Sequence, residues 1–136
     1  MKDFYISRDF LSKLFLSASF FVLSLQGFGQ ATFTVTSLAD TPDILIGDGN
    51  CDDGTGNCTL RAAIQEANAT AVKDNIVFDI SGTGVQSIQL NSSLPAISEA
   101  VVVDATTQPG YTSGNPLILI DGNAVAVYGF RLISSS

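Results

Sequence analysis

The stretch DGNCDDGTGNCTLRAAIQEANA, residues 48–69, holds both cysteines of the chain and runs from a turn-rich loop straight into a helical pattern. Cys51 and Cys58 enclose Asp52, Asp53, Gly54, Thr55, Gly56 and Asn57, residue types that favour tight turns and tolerate positive φ. In an exported chain, two cysteines seven positions apart most simply form a disulfide. Closing so short a ring stabilises by about 2–3 kcal/mol on loop-entropy grounds. From Thr59 onward, Leu60, Ala63, Ile64 and Ala67 share one helical face while Arg61, Gln65 and Glu66 share the other. Thr59 can cap the first turn through its hydroxyl, and Asn68 suits the exit. A helix of three turns with so narrow an apolar stripe cannot stand alone in water, so it must lie against neighbouring strands.

Those strands are legible on both sides. Upstream, TFTVTS over Thr32–Ser37 alternates and is rich in β-branched residues. Downstream, short Val/Ile-rich runs cover Ile76–Ile80, Ser87–Leu90, Ala100–Asp104, Leu117–Asp121 and Ala124–Ile133, punctuated by Gly, Asn, Ser or Pro. Three apolar runs close on an aspartate, at Asp79, Asp104 and Asp121, separated by 25 and then 17 residues. Such recurrence predicts a mainly β chain of stacked, similar coils, the start of a solenoid, with a small β-sandwich as the alternative. The stapled loop and its short helix then cap the first coil. The last run, Val127–Ile133, reads as the opening of another coil and stops at Ser134-Ser135-Ser136, which predicts a truncated solenoid with a bare sheet edge.

The first residues predict the compartment. Lys2, Arg8 and Lys13 precede an apolar run from Leu14 to Leu25, and small residues follow at Gly27, Gly29 and Ala31. At ~1.5 Å per residue this run is short against ~30 Å of hydrocarbon, so a cleaved secretory signal over residues 1–29 is expected rather than a membrane anchor. Beyond residue 29 stand eleven acidic and three basic side chains, a net charge of −8. That balance excludes nucleic acid as a partner, which requires clustered Lys and Arg, and disfavours anionic membranes. The chain also has no His and no Trp. It therefore lacks the commonest general base and transition-metal ligand.

A calcium loop is the sharper reading of the acidic residues, because Asp48, Asn50, Asp52 and Asp53 place oxygen ligands at close spacing. The EF-hand pattern, however, needs Gly where Asp53 sits and Glu where Thr59 sits. A solvated, disulfide-stapled turn is the expectation, with no other cofactor. Asp79, Asp104 and Asp121 could stack ~4.8 Å apart on adjacent coils as a carboxylate set for glycoside hydrolysis. Each closes a strand before a turn, however, where Asp caps backbone N–H groups, and that structural role is the expectation. Tyr111 in Gln108-Pro109-Gly110-Tyr111 could serve as a sugar-stacking platform, but a turn residue packing on its own coil is the expectation.

The string CTLRAAIQEANA, preceded by TVTSLADTPD and GDGNCDDGTGNCTL, resembles the CSLREA domain, a short N-terminal module of exported bacterial surface proteins, over roughly residues 32–80. The segment SIQLNSSLPAISEAVVVDATTQPGYTSGNPLILIDG is similar to the first coils of right-handed parallel β-helix proteins. The resemblance implies a signal peptide over 1–29, a capping module over 30–80 and β-helix coils over 81–136, on a protein that is secreted or held at the bacterial outer surface. The Glu of the family motif is Ala62 here, so the reciprocal capping-box partner of Thr59 is missing. The family brings no catalytic residues to carry over. The expected function is a non-enzymatic, adhesin-type surface scaffold, with surface glycans or other surface proteins as partners and no membrane insertion after signal cleavage. The alternative is the leading portion of a carbohydrate-active β-helix enzyme, a polysaccharide lyase or glycoside hydrolase, whose site lies in further coils.

Overall fold

The computed structural model describes residues 29–125 and 128–133. The expected secretory signal lies, but for Gly29, outside the described residues. Five strands and one α-helix form: β1 (Thr32–Val35), α1 (Leu60–Ala67), β2 (Asp74–Phe78), β3 (Gln86–Gln89), β4 (Val101–Asp104) and β5 (Ile118–Asp121), with a 3-10 turn at Ala105–Thr107 after β4. All strand pairings are parallel. A three-stranded sheet has the order β1-β2-β4, and a two-stranded sheet joins β3 to β5.

Alternation decides what each strand buries. In β1 the side chains of Phe33 and Val35 turn inward while Thr32 and Thr34 face water. In β2, Ile76 and Phe78 join them. The register aligns Phe33 with Ile76 and Val35 with Phe78, then Ile76 with Val103. Ile88 of β3 lies beside Ile120 of β5 and supplies the second sheet's share of the core. Leu60, Ala63, Ile64 and Ala67 of α1 pack into the same cluster, and the helix contacts β1 and β2. Asp74, fully buried at the head of β2, accepts hydrogen bonds from the Ala31 amide at 2.7 Å and from the Thr70 hydroxyl. A buried carboxylate needs such partners, and these two tie the entry of β1 to the entry of β2.

The right-handed parallel β-helix expected from the sequence is not what forms. The described residues give two separate short parallel sheets and one helix, with no closed or solenoid sheet. Strands of four or five residues joined by uneven connections pair with partners distant in sequence, and they do not repeat into uniform coils. The run expected over Ala124–Ile133 contributes an isolated bridge, Leu132 with Ile97, and no strand among its described residues.

After β4 the ladder on β2 is continued by side chains. The Thr107 hydroxyl accepts from the Phe78 amide at 2.7 Å and donates to its carbonyl. The buried Gln108 amide repeats the pattern on Ile80, accepting from its N–H at 3.0 Å and donating to its carbonyl at 2.7 Å. The 3-10 turn thus leaves the sheet while its side chains keep the β2 edge paired.

Candidate functional site

The candidate site is the loop over residues 40–59 with α1 behind it. Cys51 and Cys58 form the expected disulfide, with their Cα atoms 5.1 Å apart. Inside the ring, the Asp52 carboxylate accepts from the amides of Gly54 and Gly56, and the Asp53 carboxylate accepts from the Thr55 amide and hydroxyl. Hydrogen bonding from Thr55 holds the Asp53 carboxyl below its ordinary range. The ring also docks on β1, because the Cys58 carbonyl accepts from the amides of Thr36 and Ser37.

Thr59 caps the helix as its position predicts. Its hydroxyl accepts from the Ala62 amide at 3.0 Å and donates to the Thr41 carbonyl at 2.6 Å. Ala62, where the family motif carries Glu, is fully buried, so a carboxylate in that place would have to enter the core. The second orphan amide is left without its reciprocal partner, and the Thr41 contact fixes the cap instead.

The polar face of α1 is where the structure departs furthest from the sequence pattern. It does not face water. Arg61 forms a two-pronged ion pair with Asp40, Nε to Oδ1 at 2.9 Å and Nη2 to Oδ2 at 2.8 Å, and donates further to the carbonyls of Ser92 and Ser93. The same Asp40 carboxylate accepts from the Asn91 amide. Gln65 accepts from the Asp43 amide. Glu66 is 0% exposed and accepts from the amides of Gly47 at 2.6 Å and Gly49 at 2.9 Å. Both glycines have positive φ, which turns their N–H groups toward the carboxylate and which a side chain would oppose. Burial pushes the Glu66 carboxyl above its ordinary range, against the two amides that favour its charged form. Asn68 completes the set, donating to the Ala96 carbonyl and accepting from the Ser98 amide. One face of the helix closes the core, and the other is bolted to loops 40–52 and 91–98.

Asp43 was not singled out by its sequence context, yet it organises the loop. It is buried, and its two carboxylate oxygens accept from the amides of Leu45 and Asp52. No sequence signal separates it from the four other aspartates between residues 40 and 53. Of the four residues that the alternative calcium-loop reading would use, Asp48, Asp52 and Asp53 have carboxylate oxygens engaged by nearby loop amides. Asn50 contributes its backbone amide to Asp48. Among the described residues, no group of three or more His, Cys, Asp or Glu side chains is arranged to hold a metal ion.

The three strand-closing aspartates do not stack. The register sets Asp104 beside Val77 rather than Asp79, and Asp121 lies in the other sheet beside Gln89. Asp104 instead caps the 3-10 turn by accepting from the Thr106 amide and hydroxyl, which holds its carboxyl below the ordinary range. Asp121 accepts from the Asn123 amide. Tyr111 is half-buried, its amide closing the turn onto the Gln108 carbonyl. An open cleft of about 450 Å³ lies nearby between Gly82–Gly84 and Pro109–Gly110, with Leu117 on its wall. No helix among the described residues is long and apolar enough to cross a membrane. No family model, no curated protein and no solved structure matches this chain.

Proposed function

We propose that this chain is an exported, non-enzymatic scaffold of the bacterial cell surface, in which the CSLREA-like segment over residues 32–80 is a structural module closing one end of a small β core. The observation that carries this reading is the use made of the polar side chains around the stapled loop. Asp40, Asp43, Arg61, Gln65, Glu66 and Asn68 all face backbone amides or carbonyls of neighbouring segments. Groups so engaged hold chain segments in place and present no free pair of acid and base to a substrate. The disulfide suits an oxidising compartment, and the acidic balance suits a solvated outer face. Surface glycans or other surface proteins are the partner classes that go with such a scaffold.

The test is localisation joined to chemistry. A C-terminally tagged chain in intact bacterial cells should be degraded by added protease and show no free thiol to maleimide before reduction. Recovery in the cytosol with two reactive thiols sinks the export reading. Release of reducing ends or unsaturated sugars from a polysaccharide panel sinks the non-enzymatic one.

A further inference from the structure

We propose that Gln30 is the first residue of the exported chain and that its side chain closes on its own α-amine to form an N-terminal pyroglutamate. This deepens the export reading and rests on it. Two windows in the sequence carry the small-x-small form behind which a signal peptidase cuts. Cleavage after Gly27-Phe28-Gly29 leaves Gln30 first, and cleavage after Gly29-Gln30-Ala31 leaves Thr32 first. The sequence does not choose between them. The fold does, because it uses Ala31 in three ways. The Ala31 amide donates to Oδ1 of the fully buried Asp74 at 2.7 Å. Its carbonyl accepts from the Asn75 amide at 2.9 Å and so begins the ladder between β1 and β2. Its methyl group packs against the core.

A chain starting at Thr32 loses all three. Thr32 cannot take over, because successive N–H groups of a strand point to opposite edges. The carbonyls of Ala31 and Val35 face β2, so the nitrogen of Thr32 points away from it. Among the described residues no second donor reaches Oδ1 of Asp74, since the Thr70 hydroxyl serves Oδ2. A buried acceptor stripped of its donor is costly, as is the orphaned Asn75 amide. Gln30, by contrast, makes no hydrogen bond among the described residues, so the fold does not hold its side chain away from its own amine.

The chemistry of a first-position glutamine follows from its length. An α-amino group titrates near about 8, so part of it is unprotonated and nucleophilic at neutral pH. The amine lone pair attacks the side-chain amide carbon, the N–Cδ bond forms, the Cδ–Nε2 bond breaks, and the departing nitrogen takes a proton from the amine and leaves as ammonia. Nothing is oxidised or reduced. The product is a five-membered lactam with no positive charge and no free amine for an aminopeptidase, which suits a chain exposed to enzymes outside the cell.

Mass spectrometry of the N-terminal peptide, taken from the full chain exported by bacteria, tests the proposal. The expected peptide begins at residue 30, is lighter by one ammonia than its free glutamine form, and resists aminopeptidase until a pyroglutamyl peptidase exposes Ala31. Gln30→Asn should be cut at the same bond but keep its amine, because the shorter side chain would have to close a strained four-membered ring. An exported chain that begins at Thr32 or any other residue, or at Gln30 with its amine free, overturns the proposal and leaves export standing. A chain held in the cytosol with residues 1–29 attached overturns the export reading together with it.

Discussion

The two sides of the β core are finished differently. At β1 and β2, every inward side chain is buried, because α1 packs with Phe33, Val35, Ile76 and Phe78 and is itself held by side-chain bonds to two loops, 40–52 and 91–98. At β4 and β5, the equivalent positions Val101, Val103, Ile118 and Ile120 are only partly covered, and nothing comparable to α1 lies over them among the described residues. A chain of this length buries a modest share of its surface, so the way each end is closed matters more than it would in a larger domain. The closed end uses polar groups as fasteners. Those fasteners make it the place where single substitutions should be felt.

The largest effect is expected at Arg61. Replacing it with Leu keeps much of the stem but leaves the Asp40 carboxylate, 1% exposed in its side chain, without its counter-charge. Removing one partner of a buried pair costs about 3–5 kcal/mol, read from urea unfolding midpoints. A loss below ~1 kcal/mol would mean that the Asn91 amide alone satisfies Asp40 and that the pair is incidental. Next comes Leu60→Ala, a truncation in the packed closed end, expected to cost about 2–5 kcal/mol. The matched change at the other end, Ile120→Ala, should cost less than half as much, since its side chain is only partly buried. Equal losses would erase the distinction between the two ends.

How much of this was legible beforehand follows from what each interaction looks like in one dimension. Local patterns were sufficient for α1, its Thr59 cap, the ring between Cys51 and Cys58, and the positions of five strands within two residues. Each depends on neighbours close in sequence. The higher-order arrangement was not legible. Apolar runs closed by aspartate suggested uniform coils, but register is fixed by pairing between distant segments. That pairing set Asp104 beside Val77 and put Asp121 in a different sheet. The roles of Glu66 and Asp43 were hidden for the same reason. Amphipathic spacing sends Glu66 to solvent unless a loop 17 to 19 residues away folds over it, and the glycines that let the loop do so carry no mark of their partner. Gln108 serves as a substitute strand edge for Ile80, 28 residues away, and nothing beside it in the sequence marks that role.

Removing the disulfide should rank below the core truncation. Cys51→Ser together with Cys58→Ser is expected to lower stability by about 2–3 kcal/mol. The loop has other fasteners in Asp43, Gln65 and Glu66, so the amides of Gly47 and Gly49 should keep their protection from hydrogen exchange in the double variant. If that protection vanishes with the disulfide, the carboxylate clamps depend on the staple.

Glu66 also gives the closed end a pH dependence of definite sign. Its carboxyl is raised above the ordinary 4.5 by burial, so the folded state holds that proton more tightly than the unfolded chain does. Stability contributed through this group is fully present below 4.5 and declines as pH rises through the folded value. Asp53 and Asp104 act oppositely, because hydrogen bonds from Thr55 and Thr106 lower them, and their contribution fades as pH falls below the ordinary 3.8. The stability gap between the wild-type chain and Glu66→Gln should therefore narrow from pH 4 to pH 7. A gap that widens over that range would show the Gly47 and Gly49 amides outweighing burial.

The smallest effect is expected at Leu132, and it bears on the open end alone. The side chain is 80% exposed, so Leu132→Ala removes little buried area from the monomer and should change its unfolding free energy by no more than about 0.5 kcal/mol. The matched change at the closed end is Leu60→Ala, where the side chain is fully buried and the loss should be several times larger. Urea unfolding of the two variants side by side checks this, and equal losses would mean that burial of the leucine does not set the cost.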